Sequence, residues 1–391
     1  MKKPKDWKQP CPNSECKYYT LLSRGNIRAA STYLTQSGRR RIFNCKECKT
    51  FFSETRNTVL YDLRTPEETV IMVLKMFLIR VDLSGICFVF GITEETALMW
   101  LKRAARQADT INAQLMRNLA VTEIQLDEMW NFIRRKCTED SMPGGESPET
   151  SEDGRQWIWI SFAAEFRLIL TTFVGPRTSE SALSLIQKTA EVVKGVPCFF
   201  SDGFSSYLSA LIAVYHQIVT SPHTGKKGRP KEPVAEPHSD LVYGQIIKEK
   251  KGGCLKALKT RVLCGAERLG KLGLKISTSL IERLNLTMRQ SLAPLVRKGW
   301  GFCKDRKLMR RRVTFFQVFY NFSRPHQSLR VPLPENQRSS QGAIHTKWLH
   351  RTPGMAAGIT DHIWSFRELL TIKESVLNNL LFFQHVFGTA Q

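Results

Sequence analysis

The sequence predicts a mixed α/β layer fold, preceded by a small cysteine-bearing segment and a helical region. Three observations predict it. Four cysteines fall into two close pairs within the first 50 residues. Apolar residues then recur at helical spacing to about residue 122 and change to strand periodicity from Glu123 onward. Beyond that point strands come first, and helix and strand then alternate, which is the order of a sheet layered with helices.

With 391 residues the chain is long enough for two or three domains. Hydrophobic residues make up 42% and charged residues 24%, the balance of a globular protein. Lys and Arg number 58 against 35 Asp and Glu, a net charge of +23. That surplus concentrates polyanions and suits a phosphate backbone, with a ribosome-associated protein or a merely basic surface as the alternatives. No segment reaches the ~18 consecutive apolar residues of a membrane span, so no membrane partner is expected. MKKPKDWKQPCP begins like a signal peptide but has no apolar core after its lysines. The expected location is therefore cytoplasmic and nucleoid-associated. There the ten cysteines stay reduced, and paired ones suggest metal before disulfide.

Residues 1–60 carry the pairs and hold 13 basic against 4 acidic residues. Cys11-x4-Cys16 and Cys45-x2-Cys48 give four thiolates on two short knuckles, which suits tetrahedral Zn²⁺ in a zinc ribbon. Arg39, Arg40 and Arg41 precede the second knuckle, where a ribbon displays them to phosphates. Cys87, Cys137, Cys198, Cys254, Cys264 and Cys303 have no ligand spacing and read as small hydrophobes.

Residues 61–122 read as three helices. Thr65 and Pro66 open one at about 66–80, with Val70, Val73, Leu74, Phe77 and Leu78 as its apolar stripe. A second, near 83–89, ends at Gly91. A third begins after Thr93, with Ala97, Trp100 and Leu101 inward and Lys102, Arg103 and Arg106 outward. Short helix, glycine turn and basic-faced helix form the helix-turn-helix pattern, although a plain three-helix bundle writes the same stripe.

Residues 123–330 make the α/β region. EIQLDEMW (123–130) reads as a strand, and 137–154 as an acidic, Pro/Gly/Ser-rich loop. QWIWISFAA and FRLILTTFVG follow as a hairpin. Ser179 to Val193 is helical, and Val196 to Phe200 is a buried strand ending at Ser201 and Asp202. Residues 222–238 read as a basic, Pro-rich loop within a basic insertion around 222–275, and a long helix containing Glu282 starts near Ile276. Residues 331–391 form a C-terminal tail to which the sequence gives no role.

Phosphodiester hydrolysis and strand transfer need an activated water or 3′-hydroxyl and a stabilised leaving oxygen, and two divalent cations held by a few carboxylates on different elements supply both. Mg²⁺ or Mn²⁺ suits such ligands. Asp127 on the first strand, Asp202 beyond a buried strand and Glu282 in a first helical turn are candidates, separated by 75 and 80 residues. Each has a plainer reading. Asp127 is an exposed strand residue with Glu128 as an equal ligand, Asp202-Gly203 is turn chemistry, and Ser279-x-x-Glu282 is a capping box.

Five strings point further: LDEMW (126–130), QWIWI (156–160), FVGPRTSE (173–180), SDGFSSY (201–207) and IERLNLTMRQ (281–290). Together with CPNSEC and CKECKTFF, the chain resembles the insertion-sequence-one family of DDE transposases. KKGRPKEP, YNFSRPHQSLR and RTPGMAAGITDHIWSFREL resemble its longer, single-chain members. The resemblance implies an RNase H-like catalytic domain, with Asp127, Asp202 and Glu282 as the metal-binding triad. Asn285 and Arg289, three and seven residues beyond Glu282, share its helix face and are expected to touch the DNA end or orient the carboxylate. The implied activity is cleavage of double-stranded DNA at terminal inverted repeats, then attack of the 3′-OH on target DNA, by a homo-oligomer. A DNA-binding regulator with an inactive RNase H-like domain is the alternative. Residues 225–275 hold 13 basic against 5 acidic side chains and 289–330 hold 11 against 1, on either side of Glu282.

Overall fold

A computed structural model describes residues 7, 9–133, 154–219, 234–251, 254–296, 301–333 and 347–377. The chain divides into two compact units: residues 1–116 with 291–293 and 311–391, and residues 117–290 with 294–310. Among the described residues, no single helix is long and apolar enough to cross a membrane.

The first unit opens with an antiparallel sheet of β1 (Ile27–Thr35), β2 (Gly38–Cys45) and β3 (Phe51–Ser53). Gly38, at φ 106°, makes the turn that an L side chain resists, and Phe43 and Phe52 are buried beneath the sheet. Three helices follow: α1 (Glu67–Met76), α2 (Leu83–Phe90) and α3 (Glu94–Leu115). Their ends have local causes. Asp82 accepts the Gly85 amide and Thr93 accepts the Thr96 amide, while Gly91 closes α2 in the left-handed region. The first helix stops at Met76 rather than near residue 80. Arg80 takes a positive φ and gives its N–H to the Ser291 carbonyl, so the chain leaves the helix while Phe77 and Leu78 stay buried.

The second unit begins with β4 (Leu119–Ala120), β5 (Glu123–Ile133), β6 (Gly154–Ala163) and β7 (Leu168–Gly175). After α4 (Ser179–Val192) come β8 (Val193–Lys194), β9 (Cys198–Asp202), α5 (Ser206–Val214), β10 (His216–Val219) and β11 (Val234–Pro237). Then follow β12 (Val242–Lys251), β13 (Cys254–Cys264), α6 (Ala266–Leu272) and α7 (Ser279–Ser291). Six strands form one mixed sheet in the order β13-β12-β9-β5-β6-β7. β5, β6 and β7 are an antiparallel meander, β9 runs parallel to β5, β12 parallel to β9, and β13 antiparallel to β12. This mixed α/β layer is consistent with an RNase H-like fold: its first strand in chain order carries Asp127 and its fourth ends at Asp202. β5 is central, which is why Ile124, Leu126 and Met129 are buried, and Gln125, Glu128 and Asn131 with them.

Three expectations shift. The helix with Glu282 starts at Ser279, not Ile276, and residues 234–237 of the predicted loop are strand β11, paired with β10. Residues 137–153 of the acidic loop and 222–233 of the basic loop lie outside the described residues. The C-terminal stretch is no free tail. α8 (Arg306–Val318) continues through a π turn at Phe319–Ser323 to β14 (His326–Pro332), β15 (Trp348–Arg351), α9 (Pro353–Ala356) and α10 (Phe366–Thr371). From Arg311 onward these residues belong to the first unit, so the expected boundary at residue 330 is not where the contacts divide. Trp364 stacks on Phe322 at 4.9 Å, and the Leu370 carbonyl accepts the Val59 amide.

Candidate active site and metal centres

The parallel register of β5 on β9 sets the first site. Leu126 pairs with Ser201, so the next residue on each strand, Asp127 and Asp202, emerge side by side. The Asp202 carboxylate accepts the Phe204 amide at 3.1 Å, which fixes the chain as it turns out of the sheet. Helix α7 is pinned along β5 at two points. Gln125 Oε1 accepts the Ile281 amide at 3.0 Å, and Asn285 Nδ2 donates to Asp127 Oδ2 at 2.6 Å. Two strand residues span about 6.6 Å and four helical residues about 6 Å, so one helical turn matches one same-face repeat of the strand. Glu282 follows Ile281 on this helix. Its Oε1 accepts from Lys248 Nζ at 2.5 Å and from Thr278 Oγ1 at 2.9 Å, and the side chain is 45% exposed. Ser279 is the first helical residue, and Thr278 and Lys248, rather than the Ser279 amide, hold the Glu282 carboxylate.

One carboxylate oxygen from each of Asp127, Glu128 and Asp202 lies within 4.8 Å of the others. Burial, then the charges of Glu128 and Asp202, push Asp127 up to about 7, and Glu282 adds to the rise against the opposing Glu128 amide. Burial and Asp202 likewise raise Glu128, opposed by Arg177 and Tyr207. Arg177 reaches Glu128 Oε1 through Nε at 2.9 Å and Nη2 at 2.5 Å, and the Tyr207 hydroxyl donates to Oε2 at 2.9 Å. The guanidinium lies over the rings of Phe204 at 4.3 Å and Trp157 at 5.0 Å. Both Glu128 oxygens are therefore engaged by fixed donors, whereas among the described residues Asp127 accepts from an amide N–H and an Asn side chain. Asn285 Oδ1 is buried beside the cluster and has no partner among the described residues. Crowded carboxylates, a raised aspartate and an orphaned amide oxygen are the donor set of a hard cation such as Mg²⁺ or Mn²⁺.

A second cluster lies in the first unit. The Sγ atoms of Cys11, Cys16, Cys45 and Cys48 all fall within 4.8 Å of one another, with Cys11 to Cys48 at 3.5 Å and Cys16 to Cys45 at 3.9 Å. A tetrahedron of sulfurs each about 2.3 Å from a zinc ion has edges of about 3.8 Å, so the four thiols fit Zn²⁺. Asn26 Nδ2 donates to Cys45 Sγ at 3.3 Å, the outer support such a site uses. Burial pushes the Cys11 and Cys16 thiols up. It acts upward on Cys48 too, but bonds with the Thr50 side chain and backbone outweigh it and bring that thiol to about 6.

No protein-family model matches the chain, and no curated protein matches it. Among solved structures, the Mos1 strand transfer complex aligns at 9% identity with a TM-score of 0.16, over 38% of this chain and 54% of that one. The Mos1 transposase paired-end complex with the left transposon end gives 8% identity and 0.16, over 38% and 56%. The Mos1 mariner paired end complex with Mn gives 9% and 0.15, over 34% and 52%. This chain thus spans about half the length of those it matches. At these values the likeness speaks to neither activity nor substrate.

Of the residues singled out in the sequence, the fold brings together Asp127, Asp202 and Asn285, with Glu282 close enough to act on Asp127 but outside the tight cluster. Glu128 takes the third place within it. Arg289 is half-buried two turns along α7 from Glu282. On α3, Lys102 and Arg106 are exposed, but Arg103 turns back and donates to the Tyr61 carbonyl at 2.5 Å. Arg40 does not face solvent as expected. It is buried and paired with Glu67, because alternation along β2 sends it inward between Arg39 and Arg41. Arg177, Tyr207 and Lys248 were not found from the sequence. Arg177 sits inside the string FVGPRTSE, but nothing in spacing ties it to Glu128, 49 residues earlier.

Proposed function

We propose that the chain is a DDE transposase of the insertion-sequence-one type, cleaving DNA at terminal inverted repeats and joining the 3′-OH ends to target DNA. The observation that carries this reading is the juxtaposition of Asp127 and Asp202 on neighbouring parallel strands, with α7 presenting Asn285 and Glu282 to them. Asp127, Asp202 and Glu282 would hold Mg²⁺ or Mn²⁺. When bound, a pair of such cations supplies activation of the attacking oxygen and stabilisation of the leaving one. The chain's own residues do the positioning. Asn285 fixes the Asp127 carboxylate, and Arg177 with Tyr207 keeps Glu128 turned to its own bonds. Lys248 neutralises Glu282 across the strand-helix gap.

The supporting parts are read the same way. Cys11, Cys16, Cys45 and Cys48 hold a structural zinc. α2 and α3, bent by 111° across Gly91, form a helix-turn-helix that binds double-stranded DNA through Lys102 and Arg106. Arg289 follows the DNA end from α7. The enzyme acts as a homo-oligomer on DNA, in the cytoplasm at the nucleoid.

The test is Asp127→Asn, Asp202→Asn and Glu282→Gln in a cleavage assay with the repeat-ended duplex taken from the flanks of the coding region. Each is expected to lower Mg²⁺- or Mn²⁺-dependent cleavage by at least 10³-fold while duplex binding persists. Wild-type cleavage by Glu282→Gln with loss in Glu128→Gln would move the third ligand to Glu128. Cleavage retained in all three variants would refute the reading.

A further inference from the structure

Beyond the sheet that carries the site, β12 and β13 run on as a two-stranded ribbon. β9 pairs with β12 only as far as Ile246, opposite Asp202. Past that residue β12 continues to Lys251 and returns as β13 from Cys254, with Glu249 opposite Ala257, Lys248 opposite Leu258 and Ile247 opposite Lys259. Five residues of strand reach about 17 Å beyond the level of Asp202. Because β12 is parallel to β9, this reach points the way β9 points, out past the carboxylates. The projecting residues 247–259 hold five basic side chains against one acidic, and Arg261 follows at the base. Among the described side chains from Ile247 to Val262, all but the half-buried Ala257 are exposed. Leu258 is 60% exposed and Ile247 and Val262 are each 37% exposed, so apolar side chains interleave with Lys256, Lys259 and Arg261.

We propose that the β12–β13 ribbon is a DNA-gripping arm that enters the major groove of the duplex held at the carboxylate cluster. It rests on the proposed function for what the cluster does, but its own binding is separable from cleavage. Three features favour duplex DNA. The major groove admits a two-stranded ribbon. The lysines suit its phosphate walls, with Arg261 at the arm's base opposite Gln245, and the exposed Leu258 suits thymine methyl groups on its floor. Pairing of the open β13 edge with a second copy is disfavoured, since it sets two strongly basic ribbons against each other. Lys248 roots the arm at the site through its bond to Glu282, and so sets the arm's base beside the scissile position.

The experiment uses the full chain and a fluorescent 30-base-pair mixed-sequence duplex, titrated over a range of NaCl concentrations. A ribbon variant, Lys256→Gln with Lys259→Gln and Arg261→Gln, is compared with a control, Lys188→Gln with Lys194→Gln and Lys271→Gln, which removes the same charge elsewhere in the unit. The slope of log Kobs against log[NaCl] is expected to become shallower by about 2–3 in the ribbon variant, and by less than about 1 in the control. Methylation of guanine N7 is expected to weaken wild-type binding and to matter less for the ribbon variant, since N7 lines the major groove. Equal slopes in the two variants, or indifference to N7 methylation, would overturn the arm. A protein that shows the slope change but never cleaves would keep the arm and sink the transposase reading. Cleavage with equal slopes would do the reverse.

Discussion

Asp127 shows how far single residues can be read from sequence. Its place on a strand was legible from the alternation of EIQLDEMW. What makes it chemically unusual is not in that string. Burial raises its pKa first, and the charges that add to it come from Glu128 next door, from Asp202 75 residues later and from Glu282 on α7. Only the register of β5 on β9 brings the second aspartate alongside. Glu128 shows the converse: by sequence it is an equal candidate ligand, and in the fold its two oxygens are committed to Arg177 and Tyr207. A pH effect follows with a definite sign. Asp127 is held at about 7, above its ordinary value of 3.8, so the native state binds this proton more tightly than the unfolded chain does. Its contribution to stability is complete below pH about 4 and is lost as pH rises to about 7, with an upper limit on the order of 4 kcal/mol. In EDTA, wild-type stability relative to Asp127→Asn is expected to fall between pH 4.5 and 7.5, as measured by urea unfolding. Adding Mg²⁺ should flatten that fall, because a bound cation favours the carboxylate. Parallel pH profiles for the two proteins in EDTA would show that the carboxyl is not held up by its surroundings.

At the scale of elements, the two cysteine pairs and the caps were the most legible features. Thr93 and Gly91 end their helices where local chemistry says they should, and the four cysteines converge as their spacing predicts. The capping box that Ser279-x-x-Glu282 offers as the plainer alternative does not form, since Lys248 and Thr278 hold the Glu282 carboxylate. A reciprocal capping box does form at Ser365 and Glu368, starting α10. Arg40 was misplaced for a related reason: a run of three arginines carries no sign of which one faces inward, and pairing with Glu67 on α1 decides it. The cysteine cluster gives an element-scale prediction. Purified protein should carry about one zinc per chain by elemental analysis, and Cys45→Ser with Cys48→Ser should carry none. Chelation should unfold β1 to β3, seen as loss of amide-exchange protection for residues 27–53, while β5 and β9 keep theirs. Full zinc content in the double variant would place the metal elsewhere.

On the scale of the whole molecule, the largest departure from the sequence reading is the C-terminal stretch. Composition gave residues 331–391 no role, since partners more than 250 residues away leave no periodic trace. In the fold the described residues 347–377 pack into the first unit. Arg367 pairs with Glu67 and Glu68 at the start of α1, Gln107 on α3 donates to the Ile372 carbonyl at 2.5 Å, and Gln114 donates to Glu374 at 3.2 Å. Leu369, Leu370 and Leu377 are fully buried, and Ile372 nearly so. Burying each such side chain contributes roughly 1.5–3 kcal/mol, so the four together, at about 6–12 kcal/mol, are comparable to the whole margin of about 5–15 kcal/mol by which most domains are stable. A chain ended at Ala357 is therefore expected to lose cooperative unfolding of the first unit, although it keeps the four cysteines and all three helices. The milder Leu370→Ala should cost about 2–5 kcal/mol through the cavity it leaves at a fully buried position. Both are read by amide exchange at residues 97–111 of α3, with β5 as the internal reference. Supplying residues 311–391 as a separate polypeptide to fragment 1–122 should restore protection to α3, because the missing contacts are non-covalent. If fragment 1–122 protects α3 fully without that partner, the C-terminal stretch only decorates a unit that is stable without it.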